Sequence, residues 1–430
     1  MFEKPVLNEN VIIEEKKEED IKERNIINIK EEDEKKEEKK DEEEDIKIEP
    51  NEAEQIQIKN EEDLKKIKPN FDRIEINVDK TEKKDDKQKI NYLKWPQIFE
   101  KLKSLKMEKL EILSLNNVGV NTIDFLINDN YKSLIILELK GDPDENNKKE
   151  DISKGNIIKS LDKIEQIPAK ELKVLDLSYN DIKSIEPIKK APFKDLEILV
   201  LSHNEIKDIA PIPYGSFTKL KKIDLSKNNI DSIDCLSAHV ILKDLSALYL
   251  NENQIKNINI LKEDNFISLE ELQLSNNKIK EIDVLEKAKF INLKELNLYG
   301  NQIEFIDSLC RAKFEKLKKL NLGNNEIVDI SPLQKCYFKD LEELDFFDNK
   351  ISDIEVLKKV PFKNLTYLDL SYNNFKSVDA LLSEDSKYKT FSNMTELKIE
   401  GNKSLDYSQN KIKEVYDKYN IKYTYRAIFK

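Results

Sequence analysis

Residues 269–316 read LEELQLSNNKIKEIDVLEKAKFIN followed by LKELNLYGNQIEFIDSLCRAKFEK, two lines of one pattern, LxxLxLxxNxIxxIxxLxxxxFxx. The pattern opens at Leu110, Leu134, Leu172, Leu196, Leu220, Leu245, Leu269, Leu293, Leu317, Leu341, Leu365 and Met394, with a spacing of 24 residues in most steps. A period held over so long a stretch predicts a stack of coils, each too small to bury its apolar face alone.

Each part of the line has a physical reason. In LxL the alternation turns both leucines inward and the residue between them outward, so this part is a strand, and stacked strands form a parallel sheet. The asparagine at the ninth position recurs from Asn180 to Asn402, and Asn156 occupies the same place in an earlier coil. Where the chain leaves the sheet its backbone groups lose ladder partners, and an inward amide can satisfy them with two donors and an acceptor. Three apolar residues spaced by three follow, such as Ile279, Ile282 and Leu285, a spacing that suits 3₁₀ or extended chain. A phenylalanine then plugs each coil from behind, as at Phe193, Phe290 or Phe362.

The open ends of such a stack need covers. Ile74, Ile76 and Val78 alternate as a strand does, and Pro96 opens a helix carrying Trp95, Ile98, Phe99, Leu102 and Leu105. At the other end Ile412, Val415, Tyr416 and Tyr419 have helical spacing, and IKYTYR reads as a last strand. The expected organisation is a charged tail at 1–66, a cap at 67–109, about twelve coils at 110–405 and a second cap at 406–430. In the tail, residues 31–45 are charged without exception and no periodic apolar face is present, which predicts disorder.

From Leu110 to Leu405 the chain resembles the leucine-rich-repeat superfamily. The NxIxxIxxL half is similar to the short irregular repeats of a protein phosphatase 1 regulatory subunit, of the bacterial internalins and of an axonemal dynein light chain. The resemblance implies an α/β fold: a right-handed solenoid with a curved parallel sheet on its concave face, a thin 3₁₀ or extended convex side, and caps at both ends. It also implies a protein partner on the concave sheet, and no reaction.

Charge and composition narrow the function further. The first ninety residues hold 31 acidic and 21 basic side chains, while the whole chain carries a formal charge of −12, so the body is close to balanced. Nucleic acid is not an expected partner, because neutralising phosphates takes a basic patch. No apolar run is long enough for a bilayer, so no membrane is expected either, and MFEKPVLNENVIIEEKK lacks a secretory apolar region. The cytoplasm is the expected location, with the nucleus as the alternative, and the chain is expected to be monomeric by itself.

Cys235, Cys310 and Cys336 are odd in number and lack CxxC spacing, which fits a reducing compartment. They share no motif with His203 and His239, so no metal site and no cofactor are expected. With seven glycines and two unrelated histidines, the chain offers no phosphate-cradling loop and no nucleophile paired with a base, and no catalytic residue is assigned.

Outward strand positions are where a partner is expected. The seventh position is a polar file interrupted by Tyr299 and Phe347, with Gly323 between them. At about 4.8 Å per strand these rings would stand about 10 Å apart and form a slot floored by Gly323. Asp345, Asp348, Tyr367, Asp369 and Tyr372 would rim it, which suits an apolar anchor flanked by Lys or Arg. A secondary patch consists of Val174, Ile198 and Val200, next to an inserted loop at about Asp142–Gly155. The reading favoured by these features is a scaffold, adaptor or regulatory protein. An internalin-like surface adhesin, or a phosphatase-regulating or dynein-associated protein, is the alternative.

Overall fold

The computed structural model describes residues 55–58, 65–68, 71–77, 95–143, 155–238, 242–262, 266–382, 391–407 and 410–421. The expected tail up to residue 54, Val78, the 144–154 part of the insertion, His239 and the IKYTYR segment after Ile421 lie outside the described residues.

The strands follow chain order in one curved, open sheet. They are β1 (Gln55–Ile58), β2 (Arg73–Asn77), β3 (Ile112–Asn116), β4 (Ile136–Glu138), β5 (Val174–Asp176), β6 (Ile198–Val200) and β7 (Lys222–Asp224). Then come β8 (Ala247–Tyr249), β9 (Glu271–Gln273), β10 (Glu295–Asn297), β11 (Lys319–Asn321), β12 (Glu343–Asp345), β13 (Tyr367–Asp369) and β14 (Glu396–Lys398). From β2 onward every neighbouring pair is parallel, and the register puts like positions of the repeat side by side, as with Leu296 beside Leu320 and Leu344 beside Leu368. β1 lies within residues 1–66, the stretch expected to be a charged tail, and its QIQI alternation is the strand signal.

Behind the sheet most coils make a single 3₁₀ turn, such as Glu186–Lys190, Asp283–Lys287 or Glu355–Lys359. The convex side is therefore as thin as the spacing predicts. Among the helices, α1 (Trp95–Lys103) and α4 (Asn410–Lys418) are the end covers, while α2 (Asp307–Arg311) and α3 (Asp379–Leu382) are short convex turns. Ile98 and Leu102 of α1, and Ile412 and Val415 of α4, are fully buried in the same apolar core as the repeat leucines. The phenylalanine plugs are buried too, and two neighbouring pairs stack, with ring centroids 5.7 Å apart for Phe290 and Phe314 and 6.2 Å for Phe338 and Phe362.

The asparagines form the ladder the sequence calls for. Asn325 donates to the carbonyls of Leu298 (3.0 Å) and Leu322 (3.1 Å), and its Oδ1 accepts the Ile303 N–H at 3.0 Å. Asn156 joins the ladder with Oδ1 accepting from Val118 and Val120, so the insertion after β4 leaves the stack in phase. At the last rung Asn402 donates to Leu370 and Ile399, and its buried Oδ1 has no hydrogen-bond partner among the described residues.

Candidate functional site

The outward strand positions are less free than the sequence suggests. At the fifth position a short acid or amide accepts the backbone N–H of the seventh residue, closing the strand. Asn297 does this for Tyr299 (3.0 Å), Asn321 for Gly323 (2.9 Å), Asp345 for Phe347 (2.7 Å) and Asp369 for Ser371 (2.8 Å). The eighth residue then turns left-handed, with φ of 49° at Asn324 and Asp348, 55° at Tyr372 and 66° at Gly300. Asn and Asp tolerate this region better than most residues, and glycine best. Neither device was read from the sequence, although the recurrence of Asp and Asn at the fifth position is its signal.

The expected slot is reshaped. A Cβ added at Gly323 would lie 2.9 Å from Cδ2 of Tyr299 and 3.2 Å from Oδ1 of Asp345. The Tyr299 ring therefore lies across the glycine and fills the intended floor. Phe347 turns the other way and meets Tyr372, with ring centroids 5.2 Å apart. Tyr372 is 48% exposed and in turn covers Gly401, where a Cβ would come within 2.8 Å of its ring. The physical reason for the correction is the missing side chain at Gly323: a large neighbour collapses into that space rather than standing beside it. What remains is a row of aromatic side chains along the C-terminal coils, not a cleft.

The acidic rim also divides. Asp369 is only 4% exposed; it accepts the Tyr367 hydroxyl at 3.2 Å and lies 3.9 Å from the Lys398 ammonium. Lys398 sits over the Tyr367 ring, 5.1 Å from its centroid, and donates to its hydroxyl at 3.3 Å. Burial, and then the Asp369 charge, push the Tyr367 hydroxyl upward. Asp345 is half-buried, and burial lifts its carboxyl to about 6 against the pull of the Phe347 N–H. Asp348 is exposed and contributes its backbone N–H to Ser371.

At the other end, the secondary patch is only partly at the surface: Ile198 is buried, as is Ile112 of β3, while Val174 and Val200 are half-buried. Val174 and Ile198 share a register line with Ile112 and Ile136, giving an apolar file along the third position of four adjoining strands, with Val200 at the fifth. Ile112 and Ile136 were overlooked, though both occupy the third position of the first two coils. Beside the file, Lys140 lies 3.2 Å from Asp176 and 3.6 Å from Glu138, and Ser114 donates to Glu138 at 2.6 Å. Burial works against the Lys140 ammonium, but Asp176 and Glu138 hold its pKa above the usual lysine value.

The cysteines are not all unpaired as expected: Cys310 and Cys336 form a disulfide. Their separation of 26 residues reads as distant in a globular chain, yet it is close to one repeat, so the two fall on consecutive coils. Cys235 is free, and burial pushes its thiol up to about 11. His203 stacks on Tyr179, with centroids 3.8 Å apart. Among the described residues no group of three or more His, Cys, Asp or Glu side chains could hold a metal, and no helix is long and apolar enough to cross a membrane.

Known proteins with this architecture are consistent in kind. Family profiles match at residues 170–214, 267–311 and 315–359 (Leucine Rich repeats, 2 copies), at 194–255 (Leucine rich repeat) and at 364–384 (Leucine Rich Repeat). No curated protein sequence matches the chain. Among solved structures, an internalin (InlF) of Listeria monocytogenes is 24% identical over 68% of this chain and 72% of its own, with a TM-score of 0.53. A leucine-rich-repeat protein of Leptospira interrogans is 19% identical over 77% of this chain and 99% of its own, with a TM-score of 0.40. The internalin supports the fold.

Proposed function

We propose that this chain, which belongs to the leucine-rich-repeat superfamily, is a non-catalytic scaffold or adaptor that recognises a partner protein on the outward face of its sheet. The observation that carries this reading is the aromatic row of Tyr299 and Phe347, standing where most coils present serine, with Tyr372 beside Phe347. Aromatic side chains concentrated on a rigid surface are the usual energetic centre of a protein interface. The strand carboxylates around them are engaged in backbone caps and ion pairs rather than poised for proton transfer.

Photo-crosslinking tests this directly. A photoreactive residue is placed at position 347 of the full chain, or at convex Phe305, and cross-linked peptides are identified after exposure to native lysate. Cross-links from position 347 that exceed those from position 305 support the reading; the reverse overturns it.

The Cys310–Cys336 disulfide favours a second reading, an internalin-like surface adhesin, because such bonds persist in oxidising surroundings. Trapping thiols in the native source separates the two. A reduced pair supports the cytoplasmic or nuclear scaffold, and an oxidised pair supports the adhesin.

A further inference from the structure

We infer that the C-terminal half of the sheet face docks a cationic segment of the partner protein, with one lysine or arginine of that segment seated on Asp345 beside Tyr299 and Phe347. The inference rests on the sheet face being the recognition surface.

On β9 to β14 the two outward strand positions carry Glu271, Glu295, Glu343, Glu396, Asp345 and Asp369, against the ammoniums of Lys319 and Lys398 alone. Each ammonium is shared. Lys319 lies 3.4 Å from Glu295 and 3.9 Å from Glu343; Lys398 lies 3.5 Å from Glu396 and 3.9 Å from Asp369. Glu271 takes the Tyr249 hydroxyl at 2.5 Å and the Gln273 amide at 2.9 Å. Asp345 makes no direct ion pair among the described residues; its Oδ1 accepts the Phe347 N–H, the Asn321 side chain bonds it, and Lys398 acts on it only at longer range.

The charge at Asp345 is not needed for the fold. In the two preceding coils the same position is Asn297 and Asn321, and each amide closes its strand as the Asp345 carboxylate does. Carboxylates of one sign on a concave surface reinforce one another's potential, which draws in a cation. A guanidinium there could bond Asp345 and lie against an aromatic side chain at once. The apolar N-terminal file offers less of this attraction, because its third positions carry no charge and Lys140 offsets one of the two carboxylates of Asp176 and Glu138.

The test uses the full chain and two fluorescent peptides, one alternating leucine with arginine and the other leucine with glutamate, followed by anisotropy. Three proteins are compared: wild type, Asp345→Asn, and Glu281→Gln as a variant with the same change of charge at an exposed position outside the strands. The arginine peptide is expected to bind wild type, to lose about tenfold in affinity with Asp345→Asn, and to change by less than about twofold with Glu281→Gln. Equal losses in both variants, binding of the glutamate peptide, or no binding of the arginine peptide overturn the inference. A natural partner that cross-links to position 347 yet binds Asp345→Asn unchanged removes the cationic anchor while leaving the sheet-face reading intact.

Discussion

Asp345 and Asp369 face each other in register on adjacent parallel strands, and each holds the backbone N–H of the residue two places on. The fold thus sets two carboxylates about one strand spacing apart on a half-buried surface. Asp369 has Ser371, Tyr367 and the nearby Lys398 ammonium, whereas Asp345 has the Phe347 N–H, the Asn321 side chain and only a longer-range pull from Lys398. Burial, with Asp369 adding to it, lifts Asp345 from 3.8 to about 6.

This arrangement makes stability depend on pH with a definite sign. A carboxyl whose folded pKa exceeds its unfolded one favours folding most when protonated, so its contribution falls as pH rises from about 4 through about 6. Asp345→Asn keeps the strand cap and removes the charge. It is expected to be more stable than wild type by about 1–2 kcal/mol at neutral pH, with the gap closing below about pH 4. Urea unfolding at both pH values measures it; a variant less stable at neutral pH contradicts the assignment.

The ladder predicts a sharp contrast between neighbours. Asn325→Ala removes the acceptor of the buried Ile303 N–H and one of the two amide donors to each of the buried carbonyls of Leu298 and Leu322, and is expected to cost about 3 kcal/mol. Asn324, left-handed and exposed, should accept glycine with a change below about 0.5 kcal/mol. Chemical denaturation of the two variants decides it, and similar losses in both would mean the amides do not carry the stack.

The disulfide gives a prediction that needs no variant. Native protein should show one reactive thiol on unfolding, that of Cys235, and three after reduction. Reduction should lower stability by about 3 kcal/mol for a loop of this size. Three thiols in unreduced, unfolded protein would show that the bond is not formed.

Period, strand positions, asparagine ladder, phenylalanine plugs and the described parts of both caps were legible because each follows from a local rule repeated in every coil. What the sequence concealed depends on contacts between coils. The Tyr299 ring finds its place only because the next coil has Gly323, and Phe347 meets Tyr372 of the following coil. Cys310 and Cys336 looked unrelated until their separation was measured against the repeat. The fifth-position caps were hidden because aspartate on an outward position reads equally as a binding acid, and at Asp345 it serves as both cap and surface charge.

The most direct measurement is the affinity of the cross-linked partner for three forms of the full chain: wild type, Phe347→Ala with Tyr372→Ala on the sheet face, and Phe305→Ala with Val328→Ala, both exposed away from it. Recognition through the aromatic row predicts at least about tenfold weaker binding for the first double variant and less than about twofold change for the second. Unchanged binding by the sheet-face variant, with loss in the other, would contradict it.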